Sequence, residues 1–263
     1  TYGEEPFLAS AMGVAFVSEF EQRGVLTTPK HFIANVGDGG RDSYPIQISE
    51  RALRETVLPP FAACIGRGGS RSIMTAYNSI DGSPCSASDW LNNRLLKDEL
   101  AFAGFVISDA GAVGGANVLH FTARDYAESG ERALEGGLDV IFQTSFDHAA
   151  LFMPPFLDGR VPDSVIDRAV ERVLRAKFEL GLFDNPYIDT ALEASPDADR
   201  ALARRAAQES FVLLKNDRQV LPLADTLTSI AVIGSDADEV RLGGYSAPGI
   251  DPVSILEGIR NRV

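Results

Sequence analysis

Cysteine is nearly absent from this sequence. There are two in 263 residues, Cys64 and Cys85, beside three histidines. So little cysteine excludes a small domain stapled by several disulfides. One bridge is possible, two free thiols are the expectation, and cysteine usage does not assign a redox compartment. The cysteine and histidine spacings form no zinc site. A basic run is also missing: 24 Lys and Arg stand against 37 Asp and Glu, a net charge of −13. Nucleic acid and anionic membrane surfaces are therefore not expected partners, and the acidity reads as a solvated surface. No apolar run approaches the ~20 residues of a membrane span. No secretory leader is legible, and Thr1 reads as a start inside a domain. Internal repeats and low-complexity tracts are lacking. The loop Gly37-Asp38-Gly39-Gly40 has no following Lys-Ser/Thr, so it is not a phosphate-binding loop.

What remains is ordinary globular composition, 45% hydrophobic and 23% charged, with enough chain for a sizeable core. The stretch with the most chemical promise is Gly104-Phe105-Val106-Ile107-Ser108-Asp109, followed by the small-residue loop Ala110 to Gly115. A short apolar run of this kind reads as a strand buried on both faces. A carboxylate at its end, opening onto a loop, lies where α/β enzymes keep their chemistry. From the residues alone Asp109 is equally a nucleophile or the N-cap of a following helix.

Helical periodicity predicts helices over 4–23, 49–66, 88–102, 122–136, 146–158 and 163–180. In the first, Leu8, Met12, Ala15, Phe16 and Phe20 form the apolar face. In the last, Ile166, Val170, Val173 and Leu174 do so. Ser49 is placed to cap the second helix, and Pro59-Pro60 should break or kink it. Strands are predicted at Lys30-His31-Phe32, 72–77, 104–109 and 138–142, without hairpin signals; Ile80 to Pro84 reads as a simple turn. This alternation implies β-α-β crossovers and a parallel sheet. The strand ends carry Lys30 and His31, Tyr77 and Asn78, Asp109, and Gln143 and Thr144. Four strands make half of a TIM-like (β/α)8 barrel, expected over 1–183, with an amino-terminal half preceding it. A linker is expected over 184–198. Beyond it a helix over 199–209, strands at 211–214 and 229–234, and a helix near 252–262 read as the start of a second α/β domain over 199–263.

These residues resemble glycoside hydrolase family 3, the β-glucosidase and β-xylosidase group, nearly from end to end. Gly3 to Leu8 resembles GE(D/E)P(Y/F)L, Lys30-His31-Phe32 the KHF motif, and Gly39-Gly40-Arg41 GGR. Met74 to Asn78 with Asp81-Gly82 resembles MxxYNxxDG, and Gly104 to Asp109 resembles GFVxSD. Gly181-Leu182-Phe183 resembles GLF. Glu209-Ser210 with Val212 to Asn216 resembles ES-x-VLLKN, and Ile230 to Gly234 the (I/V)AVIG that opens the second domain.

The resemblance implies a fold: the C-terminal half of a TIM-like barrel followed by the start of an α/β sandwich domain. It implies an exo-acting retaining β-glycosidase that releases a terminal sugar, foremost β-D-glucose, through a covalent intermediate on Asp109. Lys30, His31, Arg41, Met74 and Tyr77 would bind the sugar. The implied partner is a small oligosaccharide or an aryl or alkyl glycoside, with no cofactor and no metal, in a periplasmic or extracellular setting. The family's acid/base glutamate lies in its second domain and matches no residue here. β-Xylosidase activity is the near alternative, and an inactive sugar-binding fragment the alternative of another class. The family's N-acetylglucosaminidase branch places a histidine in the loop after KHF; Ile33 to Arg41 has none. Ala110 stands where many relatives carry tryptophan, which leaves the aglycone side open.

Two geometric expectations follow. A retaining glycosidase needs two carboxyl groups about 5–5.5 Å apart, and its nucleophile needs donors or cations nearby, which Lys30, His31 and Tyr77 could supply. Lys30 and His31 are adjacent, and neighbours on a regular strand face opposite ways. Both can meet one sugar only if the backbone there departs from strand geometry. Asp139, in Gly137-Leu138-Asp139, reads as structural, orienting loops or pairing with an arginine. His120 and His148 read as solvated.

Overall fold

The computed structural model describes residues 2–37, 44–188, 196–246 and 252–262. Contacts divide the chain into two units, Thr1–Ile188 and Asp189–Val263.

The first unit is a partial TIM-like barrel. Its strands are β1 (Ser72–Thr75), β2 (Ser79–Ile80), β3 (Ser83–Pro84) and β4 (Phe105–Ser108). β1 and β4 pair in parallel, with Ile73 opposite Val106 and Met74 opposite Ile107. Single parallel bridges extend the pair on both sides, Phe32 to Thr75 and Val140 to Ile107. The spatial order is thus Phe32, β1, β4, Val140, the chain order of the four predicted strands. Two of these strands shrink to one bridge each.

Alternation along β1 and β4 sorts the side chains. Ile73 and Val106 are fully buried and join Leu53, Leu91, Leu95, Leu96 and Leu138 in the hydrophobic core, so this face is covered by helices. Met74, Phe105 and Ile107 lie on the other face and are only half-buried. Asp109 continues the parity of Phe105 and Ile107.

Helices fill the crossovers. Ser49 caps the first of them, its hydroxyl accepting from the Ala52 N–H at 3.2 Å. The expected break near Pro59-Pro60 takes the form of a π-helical turn, Leu53–Val57, which leads into a helix at Leu58–Gly66. Both prolines then fall in a first turn, where no intrahelical N–H is required. The segment Trp90–Glu99 is π-helical throughout, and Tyr126–Glu135 is an α-helix capped by Asp125.

Several sequence expectations are corrected. The helix Pro6–Gln22 buries Ser10, Gly13 and Val17, whereas Leu8, Met12, Phe16 and Phe20 are exposed. Its small residues let it approach the helix Leu58–Gly66 closely: a Cβ on Gly13 would lie 2.8 Å from the Cys64 Sγ. In Asp163–Glu179 the buried positions are Ala169 and Ala176, while Val170 and Leu174 are exposed. The turn at Ile80 to Pro84 is a hairpin: β2 and β3 are antiparallel, and the two loop residues have φ 48° (Asp81) and 85° (Gly82). Positive φ at both positions is the geometry that Asp-Gly favours in two-residue hairpins. Residues 146–158 form two short helices, Phe146–Ala150 and Pro154–Leu157, rather than one.

In the second unit the described residues hold helices at Pro196–Glu209 and Ile255–Arg260. Residues 211–214 and 229–234, read as strands, form no ladder here. Phe211 is 83% and Leu214 91% exposed, and among the described residues no strand lies beside these runs to pair with them.

Candidate active site

The site is built where the parallel strands end. Phe32 N–H donates to the Met74 carbonyl at 2.7 Å, and Ala76 N–H returns to the Phe32 carbonyl at 2.7 Å. These bonds lay the segment carrying Lys30 and His31 against β1. Phe32 makes an isolated bridge, and the Pro29 carbonyl accepts from the Met74 N–H at 3.2 Å, so the segment is not a regular strand; its Lys30–His31 and Phe32–Ile33 peptide bonds are cis. Buried Asn78 holds the following backbone, donating from Nδ2 to the Ile33 carbonyl at 3.3 Å.

Asp109 follows the last residue of β4 and is 7% exposed. Its Oδ2 lies 2.8 Å from the His31 Nε2, and its Oδ1 accepts from the Ala110 N–H at 2.7 Å. Each carboxylate oxygen therefore meets a nitrogen, one from a neighbouring chain segment and one from its own loop. The loop is fastened in turn: Gly111 N–H donates to the Phe142 carbonyl at 3.0 Å, and the Phe142 N–H donates to the Ser108 Oγ at 2.9 Å. The N-cap of the following 3-10 turn, Ala112–Gly114, is Gly111 with φ 75°, so capping does not occupy Asp109.

Tyr77, half-buried at the end of the β1 segment, donates its hydroxyl to the Ala110 carbonyl at 3.0 Å, one residue beyond the carboxylate it was expected to meet. Its ring centroid lies 6.4 Å from that of His31. Met74 sits in register with Ile107, on the sheet face that leads to Asp109. Lys30 is exposed beside His31. Arg41 lies outside the described residues. The structure thus brings Asp109, His31 and Tyr77 together, with Met74 on the strand face beneath them. Among the described residues no three His, Cys, Asp or Glu side chains are grouped to hold a metal ion.

Sequence reasoning missed His120. It is half-buried, and its Nε2 lies 2.8 Å from the Tyr77 carbonyl oxygen, so it is not a solvated residue. Nothing in the residues around it signals this, because the contact joins loops 43 positions apart.

The opposite end of β4 carries a different arrangement. Asp139 Oδ1 lies 3.1 Å from the Lys97 Nζ, and its Oδ2 accepts from the Val106 N–H at 2.8 Å. Lys97 also donates to the Gly137 carbonyl at 2.6 Å. The ion-pair partner is thus a lysine, with Arg172 adding a weaker attraction. Arg172 instead donates to the Phe102 and Gly104 carbonyls at 3.2 and 2.7 Å. Burial pushes the Asp139 carboxyl up and the Lys97 ammonium down, each partly offset by the attraction between them. Asp139 therefore ties strands and helices together at the end of β4 remote from Asp109.

A parallel β/α array with a buried carboxylate at the C-terminal end of a strand is the arrangement that TIM-like barrels present on their functional face. The chain belongs to glycosyl hydrolase family 3. Its residues 1–176 match the glycosyl hydrolase family 3 N terminal domain, and residues 211–263 match the corresponding C-terminal domain. It is 36% identical to a β-xylosidase of Formosa agariphila, covering all of this chain and 40% of that protein. It is 34% identical to the periplasmic β-glucosidase of Salmonella typhimurium, covering 100% of this chain and 36% of that protein. Among solved structures, a β-glucosidase of Erythrobacter marinus superposes with a TM-score of 0.89 at 35% identity, over 99% of this chain and 36% of that one. A family 3 exo-β-xylosidase in complex with a xylobiose aziridine probe superposes with a TM-score of 0.85 at 28% identity, over 99% and 36% of the two chains. The chain thus spans well under half the length of these relatives.

Proposed function

We propose that the protein containing this chain is an exo-acting, retaining β-glycosidase that releases a terminal sugar, foremost β-D-glucose, through a covalent glycosyl intermediate on Asp109. One observation carries this reading: the Asp109 carboxylate at the end of β4, with His31 Nε2 2.8 Å from one oxygen and the Ala110 N–H on the other. In the first step a carboxylate oxygen attacks the anomeric carbon. The bond to the leaving oxygen breaks, and that oxygen takes a proton from a carboxylic acid. In the second step water attacks the anomeric carbon, releases the Asp109 carboxylate and returns a proton to the acid/base. No residue of this chain is assigned to that acid/base.

His31 positions the nucleophile by its contact to Oδ2, and with Lys30 and Arg41 offers donors to sugar hydroxyls. Tyr77 and Met74 supply the wall on the β1 side. The domain division proposed with it is a partial barrel over 1–183, a linker over 184–198 and the start of an α/β sandwich over 199–263. β-Xylosidase activity is the second reading, favoured by the similarity to the Formosa enzyme. A periplasmic or extracellular location is proposed from the likeness to the periplasmic Salmonella relative.

The test follows hydrolysis of p-nitrophenyl β-D-glucopyranoside and β-D-xylopyranoside by the full-length protein, using proton NMR. The β-anomer of the freed sugar should appear first, with a higher kcat/KM for the glucoside. A higher value for the xyloside would establish the second reading. An α-anomer appearing first, or no turnover of either substrate, would overturn the proposal.

A further inference from the structure

Two side-chain bonds run in opposite directions between the end of the β1 segment and the loop that follows Asp109. Tyr77 donates its hydroxyl to the Ala110 carbonyl at 3.0 Å. His120, ten residues further along the same loop, places Nε2 2.8 Å from the Tyr77 carbonyl. A carbonyl oxygen only accepts, so Nε2 carries the hydrogen in this contact. The His120 end of the loop is itself anchored, with the His120 N–H bonded to the Gly115 carbonyl at 2.9 Å and the Thr122 N–H to the Ala116 carbonyl at 2.8 Å. The Asp109 Oδ1 meets the Ala110 N–H, so a shift of Ala110 shifts the carboxylate. The path from His120 to the reacting oxygen thus consists of the Tyr77 backbone, the Tyr77 hydroxyl and the Ala110 peptide.

We propose that His120 is a positioning residue for the nucleophile: its Nε2–H, bonded to the Tyr77 carbonyl, holds Tyr77 where its hydroxyl fixes the Ala110 peptide and with it the Asp109 carboxylate. The inference rests on the reading of Asp109 as the nucleophile. His120 acts through Tyr77 and touches no substrate. A displacement of about 1 Å at a reacting group can slow chemistry roughly 100-fold, so losing this tie should appear in the chemical step more than in substrate binding.

The test compares His120→Gln, which keeps a donor, with His120→Met, which has similar length and no donor, in the full-length protein. For both, the rate constant for labelling by 2-deoxy-2-fluoro-β-D-glucosyl fluoride is measured alongside kcat and KM. The Met variant should label and turn over about 10- to 100-fold more slowly with KM changed less than about 3-fold, and the Gln variant should recover to within about 3-fold of the unaltered protein. Equal rates for the Met variant and the unaltered protein, or equal slowing of both variants, would overturn the inference alone. If circular dichroism finds the Met variant unfolded, the Gln variant decides, and a rate more than about 10-fold below the unaltered protein sinks the inference. Absence of label from Asp109 in the unaltered protein would overturn the functional reading and this inference with it.

Discussion

Replacing Lys97 by Met should destabilise the protein strongly, and in a pH-dependent way. The side chains of Lys97 and Asp139 are 5% and 1% exposed, and their charged atoms lie 3.1 Å apart. Removing one member of a buried pair leaves the other charge uncompensated, typically at a cost of about 3–5 kcal/mol. Asp139 would keep the Val106 N–H and the weaker attraction of Arg172, and the Gly137 carbonyl would lose the Lys97 donor. For a domain of this size that loss corresponds to a fall in Tm of roughly 6–20 °C.

The pH dependence follows from burial, which already pushes the Asp139 carboxyl above its ordinary value. Without Lys97 it rises further. A carboxyl with a raised folded-state pKa stabilises most when protonated in both states, and that contribution is lost as pH rises through the folded value. The deficit of the variant should therefore be greatest near neutral pH and shrink on acidification toward the unfolded carboxylate range. Denaturant unfolding of the full-length protein between about pH 4 and pH 7 measures this. The double variant Lys97→Met/Asp139→Asn keeps an acceptor for the Val106 N–H without the charge, and should recover at least about half of the loss. A deficit under about 1 kcal/mol at neutral pH, or one that does not change with pH, would refute the reasoning.

Gly104→Ala should cost about 1–3 kcal/mol, because the new Cβ would overlap the Arg71 carbonyl oxygen and lie 2.7 Å from the Phe102 ring. Gly66→Ala, with nothing within 4 Å, should be neutral or mildly stabilising; equal losses in the two variants would show that the close approach does not matter. Both cysteines are buried and free, and burial pushes the Cys85 thiol up to about 12 and raises that of Cys64. An aromatic disulfide reagent at neutral pH should therefore titrate neither thiol in the native protein and both after denaturation. Rapid native labelling of Cys85 would contradict its burial.

The sequence carried the architecture where local chemistry and long-range packing agree. The Ser49 cap, the two apolar runs that became β1 and β4, and the helix stop at Gly181 are local signals, and all are found. Expectations failed where apolar pattern and packing face part company. The exposed stripe Leu8, Met12, Phe16 and Phe20 was the obvious core face, yet small residues on the opposite side allowed the closer helix contact. The Asp81-Gly82 dipeptide signals a turn, and the strands it joins are too short, at two residues each, to show an alternating pattern. At the candidate site, Asp109, His31 and Tyr77 were readable as polar groups at strand ends. His120 and the Lys97–Asp139 pair were not, because they depend on how loops and helices register against strands about 40 residues away.

The central claim is that Asp109 forms the covalent bond to sugar. The full-length protein, inactivated with 2-deoxy-2-fluoro-β-D-glucosyl fluoride, digested and mapped by tandem mass spectrometry, tests it directly. The account predicts one fluoroglucosyl group per chain, carried by Asp109 in the peptide around Val106-Ile107-Ser108-Asp109. A label on any other residue, or full inactivation with Asp109 unmodified, would contradict it.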